Sequence, residues 1–289
     1  MNLGDPLRPK DADQTPGDAA ASSAQAWALD VQTGRDLVRW FDSPAGRYVL
    51  AWEQAQFDER VVDIFGFHAL QVGFGQIDAL RTNRMPLRVH AAEWVPEASA
   101  ADALAEQTLV LTEFEELPFA TQSLDLVVLP HALELSPDPH HLLREAERVL
   151  APEGKLIVSC FNPYSLWGAR QFAGRVLGKP FLPRAGQFIS LPRVKDWLKL
   201  LDFEVEGGKF GCYRPACRAQ PWLDRTRFMD AAGDRWWPVL GAVYLLQAVK
   251  RVRGMRLIGP AWKTRRQRAA GLASAAQRGT PKETLRKTA

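Results

Sequence analysis

An α/β fold built on a mostly parallel sheet is what this sequence predicts, and three observations carry the prediction. Two apolar runs, residues 124–129 and 155–159, are too short for helices and read as strands buried on both faces. Between them, Leu142, Leu143, Ala146, Val149 and Leu150 fall on one helical face, while Arg144, Glu145, Glu147 and Arg148 take the other. Strand-like and helix-like segments alternate along most of the remaining chain, the order expected of βαβ units.

The elements follow in sequence. Residues 1–24 are rich in Pro, Gly, Asp, Ala and Ser, carry almost no large apolar side chains and are expected to be disordered. The folded domain is expected over residues 25–253. Ser43 followed by Pro44 reads as a helix start, a hydroxyl cap with proline in the first turn. Tyr48, Trp52 and Ala55 continue at helical spacing, and the helix is expected to run to Phe65 and stop at Gly66. Strands are expected at 69–72, 87–90 and 109–111, followed by the two already named. Asp138 with Pro139 caps the helix that begins near His140, and Pro152, Glu153 and Gly154 break it. Ser190, Leu191 and Pro192 open a further helix through Leu201, with Val194, Trp197, Leu198 and Leu201 on one face. Residues 203–206 and 243–246 supply the last two strands. Long aromatic-rich insertions, 161–189 and 211–240, interrupt this plan, and insertions of that length usually form lids or small subdomains.

Composition bounds the function. The chain has 289 residues, 46% of them hydrophobic, and ten Trp, enough for a sizeable core. No stretch reaches the roughly 18 to 20 apolar residues of a membrane span. The nearest, residues 236–249, is too short and contains Pro238 and Gln247. The amino terminus lacks a basic-then-apolar leader pattern, so a cytoplasmic protein is expected. Cys160, Cys212 and Cys217 are too few and wrongly spaced for a disulfide framework or a structural zinc. From Lys250 onward twelve Lys or Arg face Glu283 alone, a net +11 within an overall +4, which leaves −7 on residues 1–249. Any weak polyanion contact therefore belongs to the basic tail, residues 254–289, which is also expected to be disordered.

The segment from 109 to 168 carries a resemblance. Leu117-Pro118-Phe119, Asp125-Leu126-Val127-Val128, Leu143-Arg144-Glu145, Arg148-Val149-Leu150, Pro152-Glu153-Gly154 and Lys155-Leu156-Ile157 stand in the order and spacing of a known motif series. They closely resemble the second half of a class I S-adenosylmethionine-dependent methyltransferase, in particular the type 11 methyltransferase domain. The resemblance covers residues 40–250. It implies a Rossmann-like, mostly parallel seven-stranded sheet with an antiparallel edge hairpin, S-adenosyl-L-methionine as cofactor, and methyl transfer to an acceptor it does not identify.

It also implies a site. In open α/β sheets ligands bind beyond the carboxyl ends of the strands, at the switch point. After the first strand the family places an acid and three alternating glycines; here Gln71, Gly73, Phe74, Gly75 and Ile77 occupy that turn. The carboxylate that ends the family's second strand aligns with His90, with Glu93 three residues later. Glu113 stands where the family has an acceptor for the adenine amino group, with Phe114 beside it to lie against the adenine. Pro130 closes the fourth strand. His131 follows, and an imidazole facing the cofactor is the candidate general base. Asn162, Tyr164 and Trp167 follow the fifth strand and are candidate acceptor contacts. His131, Glu134, Asp138 and His140 have the residue types of a metal site but not its spacing, so no metal is expected. Asp78 stands where a dinucleotide fingerprint needs its last glycine, which disfavours a nicotinamide enzyme. Gln71, Ile77 and His90 keep a second reading open, a non-catalytic protein that retains the fold as a binding or scaffold module.

Overall fold

The computed structural model describes residues 34–73, 75–95, 107–183 and 188–251. The segments 1–24 and 254–289, and with them the expected disorder and the polyanion contact, lie outside the described residues. Seven strands form one sheet: β1 (His68–Val72), β2 (Leu87–Ala92), β3 (Thr108–Leu111), β4 (Leu124–Pro130), β5 (Leu150–Phe161), β6 (Phe203–Gly211) and β7 (Val243–Lys250), in the spatial order β3-β2-β1-β4-β5-β7-β6. Strands β1 to β5 are parallel, and β7 runs antiparallel to both β5 and β6. The chain leaves β1 towards β2 and β3, then returns to place β4 on β1's other side. That reversal is the switch point.

Each central strand buries both faces. In β4, Leu124, Val127 and Leu129 join the larger apolar core, which holds Leu37, Phe41, Leu143 and Val194. Leu126 and Val128 enter the second core, with Phe57, Val61, Ile77 and Leu80. The one charge in β4 fixes where its neighbour β1 begins. Asp125 Oδ2 accepts the N–H of Phe67 at 2.7 Å and of His68 at 3.0 Å.

Seven helices are described beside a helical run at residues 34–41: α1 (Pro44–Val61), α2 (Ala132–Leu135), α3 (Pro139–Val149), α4 (Leu166–Val176), α5 (Leu191–Leu200), α6 (Gln220–Arg225) and α7 (Phe228–Trp236). The expected caps form. Ser43 Oγ accepts the N–H of Gly46 at 3.1 Å, and Asp138 Oδ1 accepts those of His140 and His141, both at 3.0 Å. Helix α1 ends at Val61 rather than Phe65 because Asn83 Nδ2 donates to the carbonyls of Val61 and Ile64, satisfying acceptors that a longer helix would have used.

The motif residues of the resemblance are largely structural. Arg148 donates to the carbonyls of Leu117 and Phe119, both at 2.9 Å, and pairs with Glu145, so the loop before β4 is stitched onto α3. Strand β5 starts at Leu150, earlier than expected. Leu150 already pairs with Leu124, and the Pro152-Glu153-Gly154 segment is an irregularity within the strand, with Glu153 at φ +63°.

The β1–β2 crossover departs from the general strand–helix alternation. Between β1 and β2 the described residues contain turns but no helix. Gln71, buried in β1, organises that crossover by donating to the carbonyl of Ile77 at 2.7 Å and accepting the N–H of Ala79 at 2.9 Å. Gln71→Leu would strand both backbone groups in a dry core. It is expected to cost about 1–3 kcal/mol in urea unfolding.

Candidate functional site

Gly73 marks the sharp exit from β1. Its φ is +114°, and a Cβ there would lie 3.0 Å from the carbonyl oxygen of Pro130 and 3.3 Å from the Cβ of Ala132. Glycine is therefore required twice, by conformation and by the close approach of the β4 end. Gly75 follows on the same turn, while Phe74 lies outside the described residues. Ile77, at the family's third glycine position, is fully buried in the second core among Phe57 and Leu80 and stays out of the crevice. Among the described residues no helix follows here to demand a close glycine contact, so a large side chain is tolerated.

A crevice of about 250 Å³ opens against the 34–41 helical run, walled by Arg35, Val38, Arg39, Gln76 and Trp94. An adjoining cleft shares Val38, Gln76 and Trp94 and reaches inward to Gly73, Gly75, His90 and Glu93. The Trp94 ring lies against the backbone of Gly34, where a Cβ would come within 2.2 Å of it.

The second strand changes one assignment. His90 does not end β2, which continues to Ala92, and the register places His90 opposite Gln71 inside the sheet. Its Nε2 donates to the Gly73 carbonyl at 2.8 Å. Burial lowers its pKa, and the hydrogen bond to Gly73 opposes that only in part, so the ring is neutral. Nδ1 is then a buried acceptor with no hydrogen-bond partner among the described residues. The carboxylate at the strand's carboxyl end is Glu93, half-buried on the cleft. Gln71 is likewise corrected: its amide is spent within the β1–β2 turn and does not face the crevice.

Beyond β3, Glu113 is exposed. Phe114 is not an open aromatic platform; at 1% exposure it belongs to the larger core. Pro130 is buried at the end of β4, its carbonyl against Gly73.

His131 departs furthest from expectation. It is completely buried, at φ +52°, between two carboxylates. Nδ1 donates to Glu134 Oε2 at 2.6 Å, and Nε2 lies 3.0 Å from Glu53 Oε1 and 3.2 Å from Oε2. Glu134 Oε1 also accepts the N–H of Phe161 at 2.8 Å, and the Phe161 ring stacks on the imidazole at 4.4 Å. Burial by itself would lower the pKa of His131, but the charges of Glu53 and Glu134 outweigh it and raise it to about 10. Burial pushes the Glu134 carboxyl up, with His131 opposing. A protonated imidazole with both nitrogens engaged has no lone pair for a substrate proton. His131 is a structural cation tying α1, α2 and β5 together, not a base.

The residues after β5 are corrected in the same way. Asn162 Nδ2 donates to the carbonyls of Val239 and Gly241, both at 2.9 Å, and its Oδ1 accepts the N–H of Tyr164 at 3.1 Å, so the amide pins the second insertion rather than a substrate. Trp167 is 1% exposed, donates to the Arg214 carbonyl at 2.7 Å and packs edge-on against Trp40 and Phe181. Tyr164 alone of the three is exposed.

Glu53, Arg35, Arg39 and Trp94 were not anticipated. A signal existed for Glu53: it sits between Val49 and Phe57 at four-residue spacing, an acid within the buried stripe of α1.

Comparison with known proteins places this architecture. Residues 70–158 match a family described as a methyltransferase domain. Across 214 residues the chain is 35% identical to the uncharacterized protein YafS of Escherichia coli K12, covering 73% of this chain and 80% of YafS. Its fold is similar to that of the methyltransferase solved in complex with the Trm112 activator of Haloferax volcanii, with a TM-score of 0.55 and 16% identity over 76% of this chain and 98% of that one. It is also similar to a methyltransferase of Thermotoga maritima, with a TM-score of 0.52 and 15% identity over 78% and 99%. The chain belongs to the methyltransferase-domain family, with the class I S-adenosylmethionine-dependent fold.

Proposed function

We propose that the protein is an S-adenosylmethionine-dependent methyltransferase whose cofactor lies across the Gly73–Gly75 turn. The observation that carries this reading is the cleft lining. A positive-φ glycine, a half-buried carboxylate at the end of β2 and an unpartnered buried acceptor, His90 Nδ1, converge where a ribose would need acceptors. Glu93 takes one or both ribose hydroxyls, and His90 Nδ1 accepts from a neighbouring polar hydrogen. Arg35 and Arg39 supply the positive charge that a helix after β1 would otherwise present to the methionine carboxylate. Glu113 receives the adenine amino group.

Bound there, the cofactor would offer an electrophilic methyl on its sulfonium. The chain's own contribution is to hold the acceptor in line with that methyl and to exclude water, since direct displacement needs no base when the acceptor is already nucleophilic. This fits the locked state of His131. Tyr164, exposed beyond β5, is the remaining acceptor contact among those anticipated.

Calorimetric titration with S-adenosylhomocysteine tests the reading. Micromolar binding is expected, and absence of heat at millimolar ligand would defeat it. The absence of a helix between β1 and β2 among the described residues and the locked His131 favour a second reading, in which the cofactor or a related nucleoside binds without transfer. A labelled methyl-transfer screen on protein already shown to bind separates the two.

A further inference from the structure

The outer face of α4 is apolar, and this is the reverse of what a surface helix ordinarily shows. Its inner face is made by Trp167, Gly168 and Gln171. Leu166, Ala169, Phe172, Ala173, Val176 and Leu177 recur at three- and four-residue spacing on the opposite side, all exposed. Phe172 and Val176 are each 73% exposed and Leu177 is 76% exposed. The second insertion is attached directly to this helix. Trp167 Nε1 donates to the carbonyl of Arg214, Arg170 donates to that of Ala216 at 2.5 Å, and Arg218 donates to that of Pro180 at 3.3 Å. That insertion exposes more large apolar rings: Trp222, Phe228 and Trp236, each more than half accessible.

The charge of these segments is one-sided. Residues 161–183 contain Arg170, Arg175 and Lys179 and no Asp or Glu. Residues 212–240 carry five Arg against three Asp, and one of those acids, Asp230, is held by Arg214 and Tyr48. The stretches 161–183 and 212–240 are thus net +3 and +2 on a chain whose first 249 residues sum to −7. The strongly basic stretch beyond Lys250 adds charge of the same sign.

We propose that α4 and the exposed rings of the second insertion form a docking surface for an anionic lipid bilayer. An in-plane helix needs an apolar face that enters the headgroup boundary, aromatic rings at that depth and Arg or Lys to meet lipid phosphates. This surface supplies all three, and the lack of acids over residues 161–183 removes the repulsion that anionic lipid would otherwise meet. No helix among the described residues is long and apolar enough to cross a membrane, so the contact is peripheral. The inference is independent of whether the cofactor crevice is active.

The test is co-sedimentation of the full chain with phosphatidylcholine vesicles, with and without phosphatidylglycerol. Binding is expected to the anionic vesicles, to weaken in high salt, and to be much poorer on phosphatidylcholine alone. The triple substitution Phe172→Ser, Val176→Ser, Leu177→Ser is expected to lower partitioning about tenfold or more, because these side chains lose their apolar transfer energy. Its melting temperature should hold, since all three are solvent-facing. Quenching of wild-type tryptophan fluorescence by brominated lipid gives a readout that does not depend on any variant. The proposal fails if the wild type stays with the supernatant or shows no quenching. It fails equally if a stably folded triple variant binds as the wild type does, which would assign the attraction to the basic tail. A wild-type dimer that the triple substitution dissociates would assign the face to a second copy of the chain.

Discussion

Replacing His131 with alanine is expected to lower the unfolding free energy by about 3–5 kcal/mol, the cost of removing one member of a buried ionic group. The reason is the company it keeps. Glu53 and Glu134 approach the imidazole from opposite sides, and both are almost completely buried. Without the cation, two carboxylates would confront each other in a core walled by Phe41 and Phe161. They must then take up protons or admit water. The left-handed backbone at His131 adds to the effect, because the side-chain bonds that hold it would be gone.

The same cluster gives a pH dependence with a definite sign. The folded pKa of His131 is raised from 6.5 to about 10. Its stabilisation is therefore fully present below pH 6.5 and is lost as pH rises through about 10. Urea midpoints of the wild type are expected to fall across that window more steeply than those of His131→Ala. Parallel curves for the two proteins would show that the imidazole is neutral and that the cluster is held together differently.

Glu93→Gln is expected to weaken S-adenosylhomocysteine binding about ten- to a hundred-fold. Loss of a charged hydrogen-bond acceptor costs about 1.5–3 kcal/mol. Calorimetry on the variant measures this directly. The side chain is only half-buried at the rim of the cleft, so the melting temperature should change far less than the affinity. An unchanged affinity would remove the ribose from the end of β2 and move the cofactor assignment elsewhere. This outcome is distinct from a failure of wild-type binding, which would remove the cofactor altogether.

Much of the scaffold can be read from local pattern. The apolar runs of β4 and β5, the amphipathic stripe of α3, the Ser43 and Asp138 caps and the Gly73 bend are properties of neighbours in sequence. Periodicity and backbone preference encode such features within a few residues. The family motifs were equally legible, because Leu117, Glu145 and Arg148 meet across a short loop and helix.

The candidate site was harder to read. His131 has the residue type and position of a base, yet its protonation is set by Glu53, which comes from α1 across a sequence separation of 78 residues. Which of the two cleft residues, His90 or Glu93, stands at the carboxyl end of β2 depends on where the strand stops, and pairing with β1 and β3 decides that. Asn162 and Trp167 looked available until the second insertion covered them. By itself, then, the sequence determined the order of the strands along the chain, the helix caps, the glycine turn and the two aromatic insertions. Only the tertiary structure decided which side chains are spent on holding loops together and which remain open to a ligand, because burial, charge and hydrogen-bond partners are set by through-space approach between segments distant in sequence.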